Sequence, residues 1–194
     1  MRMLLVVASF AAVSIAAPAL AQDSGRAPFT GFKVEGIAGW DHPRVPGDHA
    51  DGITYGVGAG YDYQTGGVVL GIEGEASDSS AKRCVGGFSV AGDSLCASAG
   101  RDLYVGGRVG AAVAPNTLLY AKAGYTNARI NTDYTTPTGV GAFRDHRDLN
   151  GFRIGGGIEQ SLGGSAYVKA EYRYSNYEQN VDRHQVVAGV GFRF

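Results

Sequence analysis

The sequence is short of charge, and the charges it has nearly balance. Of its 194 residues 18% are charged, and the formal net charge is −1. This balance gives no reason to expect a nucleic-acid partner. Long apolar runs are also scarce, since the one such run covers residues 3–20. Because no later stretch holds about 18 consecutive apolar residues, we expect no transmembrane helix beyond it.

The apolar run has the features of a secretory signal. Arg2 precedes it, and Ala19 and Ala21 form an A-x-A cleavage motif at its end. We therefore expect residues 1–21 to be a signal peptide that is cleaved on export, and residues 22–194 to form one domain. The alternative is a membrane anchor, which the run is long enough to provide, but the small-residue motif favours cleavage.

Cysteine is equally scarce, with Cys84 and Cys96 lying in one polar segment. Export would place both thiols in an oxidising compartment, where disulfides persist. Closing a loop of this size would contribute ~3 kcal/mol on the chain-entropy model. The alternative is a pair of metal ligands, but no histidine or third cysteine lies near them in the sequence. We therefore predict a disulfide.

What the chain does contain is a repeated strand pattern. From residue 29 onward apolar residues recur with period two in eight segments of 10–14 residues, each long enough to cross a bilayer when tilted. The segments cover residues 29–40, 52–63, 68–77, 101–113, 117–127, 150–161, 165–176 and 181–194. Tight turns alternate with longer connections, as in barrels with short periplasmic turns and long external loops. The sequence predicts an all-β fold, an eight-stranded antiparallel up-and-down transmembrane β-barrel in the outer membrane of a Gram-negative bacterium.

One face of each segment is apolar and carries aromatic residues near its ends. In the last segment this face holds Val186, Ala188, Val190, Phe192 and Phe194. Aromatic residues at the loop ends of the segments are Trp40, Tyr55, Tyr125, Phe152, Tyr172 and Tyr174, and those at the turn ends are Phe32, Tyr61, Phe192 and Phe194. Two aromatic belts at the two membrane interfaces are typical of a barrel in a bilayer.

The opposite face carries seven acids and seven bases. These residues are Lys33, Glu35, Asp62, Glu73, Glu75, Asp102, Arg108, Lys122, Arg153, Glu159, Lys169, Glu171, Arg173 and Arg193. A soluble β-sandwich core could not hold so many charges, because unpaired buried charge is very costly. The interior of a small barrel can hold them as a paired network. Since eight strands enclose only enough space for side chains, we expect a filled interior with no wide pore.

Three segments resemble a known family. They are LYAKAGY at residues 119–125, VKAEYRY at 168–174 and GVGFRF at 189–194. The mature chain is similar to the small outer-membrane β-barrels of the porin-opacity type, which are related in architecture to the OmpA transmembrane domain. The resemblance implies a structural or surface-interaction protein without defined catalytic residues or cofactors. It also implies that Phe194 is an assembly signal.

The same resemblance implies a set of partners. These are outer-membrane lipids and lipopolysaccharide, the barrel-assembly machinery that would read Phe194, and periplasmic chaperones. No motif in the sequence identifies a surface ligand. The segment 78–100, which holds both cysteines, is the best candidate for surface recognition because loops on rigid scaffolds often carry function.

Three other functions stay open as alternatives. A lipid A-modifying barrel enzyme would need a nucleophile beside a histidine, and the external segments do hold such residue types: His42, His49, Asp78, Ser79, Ser80, His146 and His184. However, His184 is followed by Gln185 and Val186, so the H-x-S motif of the lipid A deacylases is absent. Binding of a metal or haem by the loop histidines, and a narrow porin-like channel, are the others. We predict neither catalytic residues nor a metal site.

Overall fold

The structure is a computed structural model that describes residues 28–45, 48–49, 51–87, 89, 91–178 and 181–194. The predicted signal peptide, residues 1–21, lies outside the described residues, so its cleavage and the domain boundary at residue 22 stay predictions. Within the described part of the chain, no helix is long and apolar enough to cross a membrane.

Ten strands make up the described residues almost completely. Their bounds are β1 Gly31–Val45, β2 Asp48–His49, β3 Gly52–Thr65, β4 Val68–Ser79, β5 Lys82–Gly86, β6 Ser94–Ala114, β7 Thr117–Thr135, β8 Phe143–Ser161, β9 Ala166–Tyr177 and β10 Val181–Arg193. Eight of them form the barrel. The remaining two, β2 and β5, are short additions at the external end that pair with β1 and β6.

Each barrel strand pairs antiparallel with its neighbours in the chain, and the last strand closes the cylinder on the first. Strand β10 pairs with β1 along its length, from Lys33 opposite Arg193 to Arg44 opposite Asp182. At the closed end the Phe194 N–H donates to the Phe32 carbonyl at 2.8 Å. Closure leaves no free edge among the eight barrel strands, which a spanning sheet in lipid requires. The predicted eight-stranded up-and-down barrel is confirmed.

At one end of the barrel all three turns are short, whereas at the other end only the β9–β10 connection, residues 178–180, is short. Strands β3 and β4 are joined by two glycines, of which Gly66 has a φ of 59°. This left-handed conformation suits glycine in a tight hairpin. Residues 115–116 and 162–165 make the other two tight connections. We assign this end to the periplasmic side and the end with longer connections to the outside.

Three strands extend seven or eight residues further outward than the sequence pattern predicts. Strand β6 begins at Ser94 rather than at residue 101, β7 continues to Thr135 rather than to 127, and β8 begins at Phe143 rather than at 150. Beyond the lipid these strands have no apolar outer face, so the period-two pattern stops although the hydrogen-bonded ladder continues to Tyr134 opposite Phe143. Much of segments 78–100 and 128–149, predicted as loops, is therefore β-hairpin.

The alternation of the strands gives the barrel an apolar outside and a polar inside. Large apolar side chains such as Trp40 and Ile72 are 71% and 70% exposed on the outer surface. Inside, glycine makes room for larger neighbours. A Cβ at Gly106 would lie 2.2 Å from the Tyr104 hydroxyl oxygen, so that tyrosine can lie flat along the inner wall only beside a glycine.

Candidate functional site

The barrel interior is a column of eight buried acids and eight buried bases. The structure places all fourteen sequence-predicted charges there and adds Asp41 and Arg183, which were missed. Asp41 lies one residue beyond the predicted end of the first segment. Arg183 lies within the last segment, an even number of residues before Arg193. Because side chains alternate between the two faces of a strand, this spacing could have identified Arg183 as inward-facing. The charges of the column lie in three layers.

The layer nearest the periplasm is a closed cluster of two acids and two bases. The Arg108 guanidinium donates two hydrogen bonds to Asp62 and one, of 3.0 Å, to Glu159. Arg193 donates to the same two carboxylates at 2.9 and 2.7 Å. Each arginine therefore bridges both acids, and the cluster has no net charge.

The middle layer joins four glutamates to lysines, arginine and tyrosines. Glu73 accepts from Lys33 at 2.6 Å and from Lys122 at 2.7 Å, and Lys122 also reaches Glu75. On the opposite wall Lys169 donates to Glu35 at 2.5 Å. Tyr167 and Tyr120 add hydroxyl donors to Glu35 and Glu171, and Arg173 bridges Glu171 and Glu75. Charged partners in such a network offset the cost of removing each ion from water.

The outermost layer is centred on Asp102. Its carboxylate accepts from Arg153, from Arg183 at 2.8 Å, from the Tyr177 hydroxyl at 3.0 Å and from the Thr126 hydroxyl at 2.7 Å. Arg183 in turn holds Asp41 with two further hydrogen bonds. This layer closes the lumen because its side chains cross from β1, β6, β8 and β10 to the middle.

The periplasmic end is capped by a residue that precedes the first strand. Phe29 is fully buried and packs with Val69, Leu118 and Tyr120. Its N–H donates to the Gln64 side chain at 3.1 Å, and its ring lies 5.7 Å from the Arg193 guanidinium. The chain thus folds under the barrel and covers the charged column with an apolar layer.

The external end carries the disulfide. Cys84 and Cys96 are bonded across β5 and β6, as predicted, and they close a hairpin that stands on top of the barrel wall. The neighbouring β7–β8 hairpin is polar on its outer side. There Arg129 donates two hydrogen bonds to Asp148, and Arg101 donates to the same carboxylate at 3.3 Å.

Inside these hairpins the lumen widens into a pocket with mainly apolar walls, which the sequence pattern did not predict. The pocket has a volume of about 370 Å³, and its walls include Val85, Leu95, Ile130 and Leu149. The Arg183 side chain forms part of its floor. Residues of seven neighbouring strands, β1 and β5 to β10, contribute because the external extensions of β6, β7 and β8 continue the barrel wall upward.

The side chains considered for catalysis lie apart and bind different partners. Ser79 is buried and its hydroxyl donates to Asp41, whereas the Ser80 hydroxyl accepts from the Ile53 N–H at 2.9 Å. His42 Nδ1 lies 2.5 Å from Asp51, and His184 Nδ1 lies 2.7 Å from the hydroxyl of Tyr172 on the outer surface.

The other candidates give no assembled centre either. Asp78 faces outward and accepts from the Ser79 N–H at 2.7 Å, and His146 is exposed on the β7–β8 hairpin. The side chain of His49 lies outside the described residues. In the described part of the chain, no group of three or more His, Cys, Asp or Glu side chains could hold a metal ion.

A closed barrel with an apolar exterior, aromatic residues near both rims and a charge-filled lumen defines the class of transmembrane β-barrels of the outer membrane. The chain belongs to the outer membrane protein beta-barrel domain family, whose model matches residues 5–194. The predicted family and the outer-membrane location in a Gram-negative bacterium are thereby confirmed.

Two groups of known proteins are similar to the chain. The 25 kDa outer-membrane immunogenic protein of Brucella ovis is 27% identical over 139 residues, which cover 72% of this chain and 62% of that protein. The matched region therefore spans less than two thirds of the relative.

Among solved structures, Neisserial surface protein A has a TM-score of 0.60 at 16% identity, over 85% of this chain and 98% of that one. Ail of Yersinia pestis, in complex with the heparin analogue sucrose octasulfate, has a TM-score of 0.57 at 15% identity, over 85% and 99%. At these identities the likeness concerns the fold.

Proposed function

We propose that this protein is a non-enzymatic structural component of the outer membrane that supports envelope integrity and presents its external hairpins to partners. The observation that carries the proposal is the filled lumen. Three layers of paired charges occupy the inside of the cylinder, while β6, β7 and β8 continue outward beyond the lipid-facing part of their strands. A rigid anchor below and a stiff projection above suit presentation to a partner better than passage of a solute.

The outer surface supports lipid partners. Exposed apolar side chains such as Val57 and Val105 face outward between the aromatic rims, and such a surface is stable only when lipid covers it. We propose outer-membrane lipids and lipopolysaccharide as its surroundings. The barrel-assembly machinery and periplasmic chaperones are proposed as transient partners on the resemblance, with Phe194 as the assembly signal.

The external charges do not favour a polyanionic partner. Ail holds a heparin analogue in the structure to which this barrel is similar. Here the described external side chains outside the lumen comprise eight acids and seven bases: Asp51, Asp78, Asp93, Asp133, Asp145, Asp148, Glu178 and Asp182 against Arg44, Lys82, Arg83, Arg101, Arg129, Arg144 and Arg147. Because a polyanion needs an excess of positive charge, we assign surface recognition to the shape of the disulfide-closed hairpin.

The test is a deletion strain complemented with two forms of the protein. The Ala99 N–H donates to the Ala81 carbonyl at 2.9 Å, so a short Gly-Ser link can replace residues 82–98 without opening the barrel. The full chain should restore resistance to detergent, normal vesiculation and adhesion. The shortened chain should restore the first two and not the third.

The matched control replaces the periplasmic turn 162–165 with a Gly-Ser link of equal length, which should restore all three properties. A deletion strain that behaves as wild type in every assay would refute the structural role. Equal adhesion with the shortened chain would refute the assignment of recognition to the β5–β6 hairpin.

Two assays address the alternatives. Purified protein should neither add nor remove acyl chains on lipid A, because its serine, histidine and acidic candidates point to different places. In planar bilayers it should show no stable large openings, because Asp102 and its partners close the lumen. Turnover in the first assay, or such openings in the second, would replace the proposal with an enzyme or a channel.

A further inference from the structure

The inner wall of the barrel changes chemistry above the outermost charged layer. Between the Phe29 cap and Asp102 most inward side chains are charged or polar, whereas above Asp102 the residues Ala97, Ala128, Ile130 and Leu149 line an apolar space. This space is the pocket of about 370 Å³ inside the external hairpins. Its volume lies within the range of roughly 300–1,000 Å³ that small-molecule sites occupy.

The pocket is closed below and walled at the side. Its floor contains Arg183 and Tyr177, which the Asp102 carboxylate holds at 2.8 and 3.0 Å. Its side wall is made of hydrogen-bonded strands that stand above the lipid, so a ligand must enter from the external medium. Membrane insertion does not require an apolar inner wall at this position. Covering the wall with an apolar chain is favourable because it removes apolar surface from water.

The charges at the pocket have one sign. Its lining contains Arg83 and Arg183 with their charges directed to this wall, and no Asp or Glu among the described residues; Arg129 also borders it, but its side chain lies on the outer side of the β7–β8 hairpin. Arg183 is bound to Asp41 and Asp102, which lie below the floor and outside the lining. Arg83 stands on β5 opposite Ala97, on the side of the hairpin that faces the pocket. A ligand with a negative group therefore complements this wall.

We propose that the pocket binds a single alkyl chain with an anionic head group, such as a medium-chain fatty acid, taken up from the external medium. The chain lies along Ile130 and Leu149, and the head group lies beside Arg83. This binding goes beyond the structural role proposed above and does not depend on it, because it needs only the pocket itself.

The experiment uses the full mature protein in lipid nanodiscs, with isotope-labelled isoleucine and leucine methyl groups. Decanoate is added below its critical micelle concentration, and methyl NMR spectra are recorded. The methyl signals of Ile130 and Leu149 should shift and saturate. Those of Ile72 and Ile158, which face the lipid, should change only in proportion to the decanoate that enters the bilayer.

Two pairs of variants identify the site. Ala97→Trp fills the pocket and should abolish the saturable shift, whereas His146→Trp adds the same ring on an exposed position outside it and should not. Arg83→Glu should weaken binding by about tenfold, equivalent to about 1.4 kcal/mol. Arg144→Glu makes the same charge change on the outer side, where Arg144 is paired with Asp133, and should leave the affinity unchanged.

Three results would overturn the proposal. The first is that Ile130 and Leu149 respond no differently from Ile72. The second is that Ala97→Trp binds decanoate like the wild type. The third is that decyltrimethylammonium, a cationic chain of the same length, binds as tightly as decanoate, which would remove the anionic head group from the inference.

Discussion

Removing Arg108 should destabilise the barrel strongly, because it would leave two buried carboxylates with one base. Its side chain is fully buried, and it donates three hydrogen bonds to Asp62 and Glu159. In Arg108→Met only Arg193 remains between them, at 2.9 and 2.7 Å. Removing one member of a buried ion pair costs about 3–5 kcal/mol. We expect a loss of that size in the free energy of unfolding, measured by urea titration in vesicles with the folded fraction read from gel mobility.

A second substitution separates the effect of charge from that of lost packing. Arg108→Met combined with Glu159→Gln removes one base and one acid and leaves Asp62 paired with Arg193. The double variant should be more stable than the sum of the two single losses by about 0.5–3 kcal/mol.

The control for this cycle is Arg144→Met. Arg144 is 85% exposed at its ion pair with Asp133, and its replacement should change stability by no more than about 0.5 kcal/mol. If Arg108→Met costs no more than this control, or if the double variant shows simple additivity, the layer of paired charges does not stabilise the barrel through its ion pairs.

Three further predictions concern the two ends of the barrel. Phe29→Ala should lower the free energy of unfolding by about 3–5 kcal/mol in the same urea titration, because the ring is fully buried under the strands; an unchanged midpoint would contradict the cap. Replacing Cys84 and Cys96 with serine should speed protease cleavage within residues 82–98 while the barrel keeps its gel mobility, because the bond closes only the external hairpin, worth ~3 kcal/mol. Hydrogen bonds from Arg129 lower the pKa of the Asp148 carboxyl. The Arg129–Asp148 ion pair is therefore intact above the ordinary aspartate pKa and is lost as the pH falls through the lowered pKa. Arg129→Gln should raise the titration midpoint of the Asp148 carboxyl in NMR spectra, and an unmoved midpoint would contradict this cause.

The part of the fold inside the membrane was predictable because two solvents act on the two faces of each strand. Lipid outside demands apolar side chains such as Ile72 and Val105, and the enclosed lumen admits polar ones such as Glu73 and Arg108. The alternation of the sequence therefore indicates the strands directly. It also indicates the direction of each side chain, which is why the fourteen sequence-predicted charges all lie in the lumen.

Above the membrane this contrast disappears, and with it the signal. The outer side of the β7–β8 hairpin meets water, so Arg129 and Asp148 stand where lipid-facing residues would be apolar. The inner side carries Ile130 and Leu149. In residues 128–149 the outward positions are polar, so the sequence lacks the pattern of apolar outward residues that marks a membrane strand. This segment therefore resembled a loop, although the strand ladder continues through most of it. The external pocket was missed for the same reason, because its walls belong to these extensions.

The reversal of polarity along the inner wall is the strongest argument that the external end does more than connect strands. In the membrane a small barrel must place its polar residues inside, and it offsets their burial by pairing charges such as Asp62 and Arg108. Above the membrane water surrounds the wall, so membrane insertion does not require an apolar inner face there. Ala97, Ile130 and Leu149 nevertheless form such a face above a closed floor. Stability of the barrel explains the charged column but not this pocket, and a ligand with an apolar chain explains why the two differ.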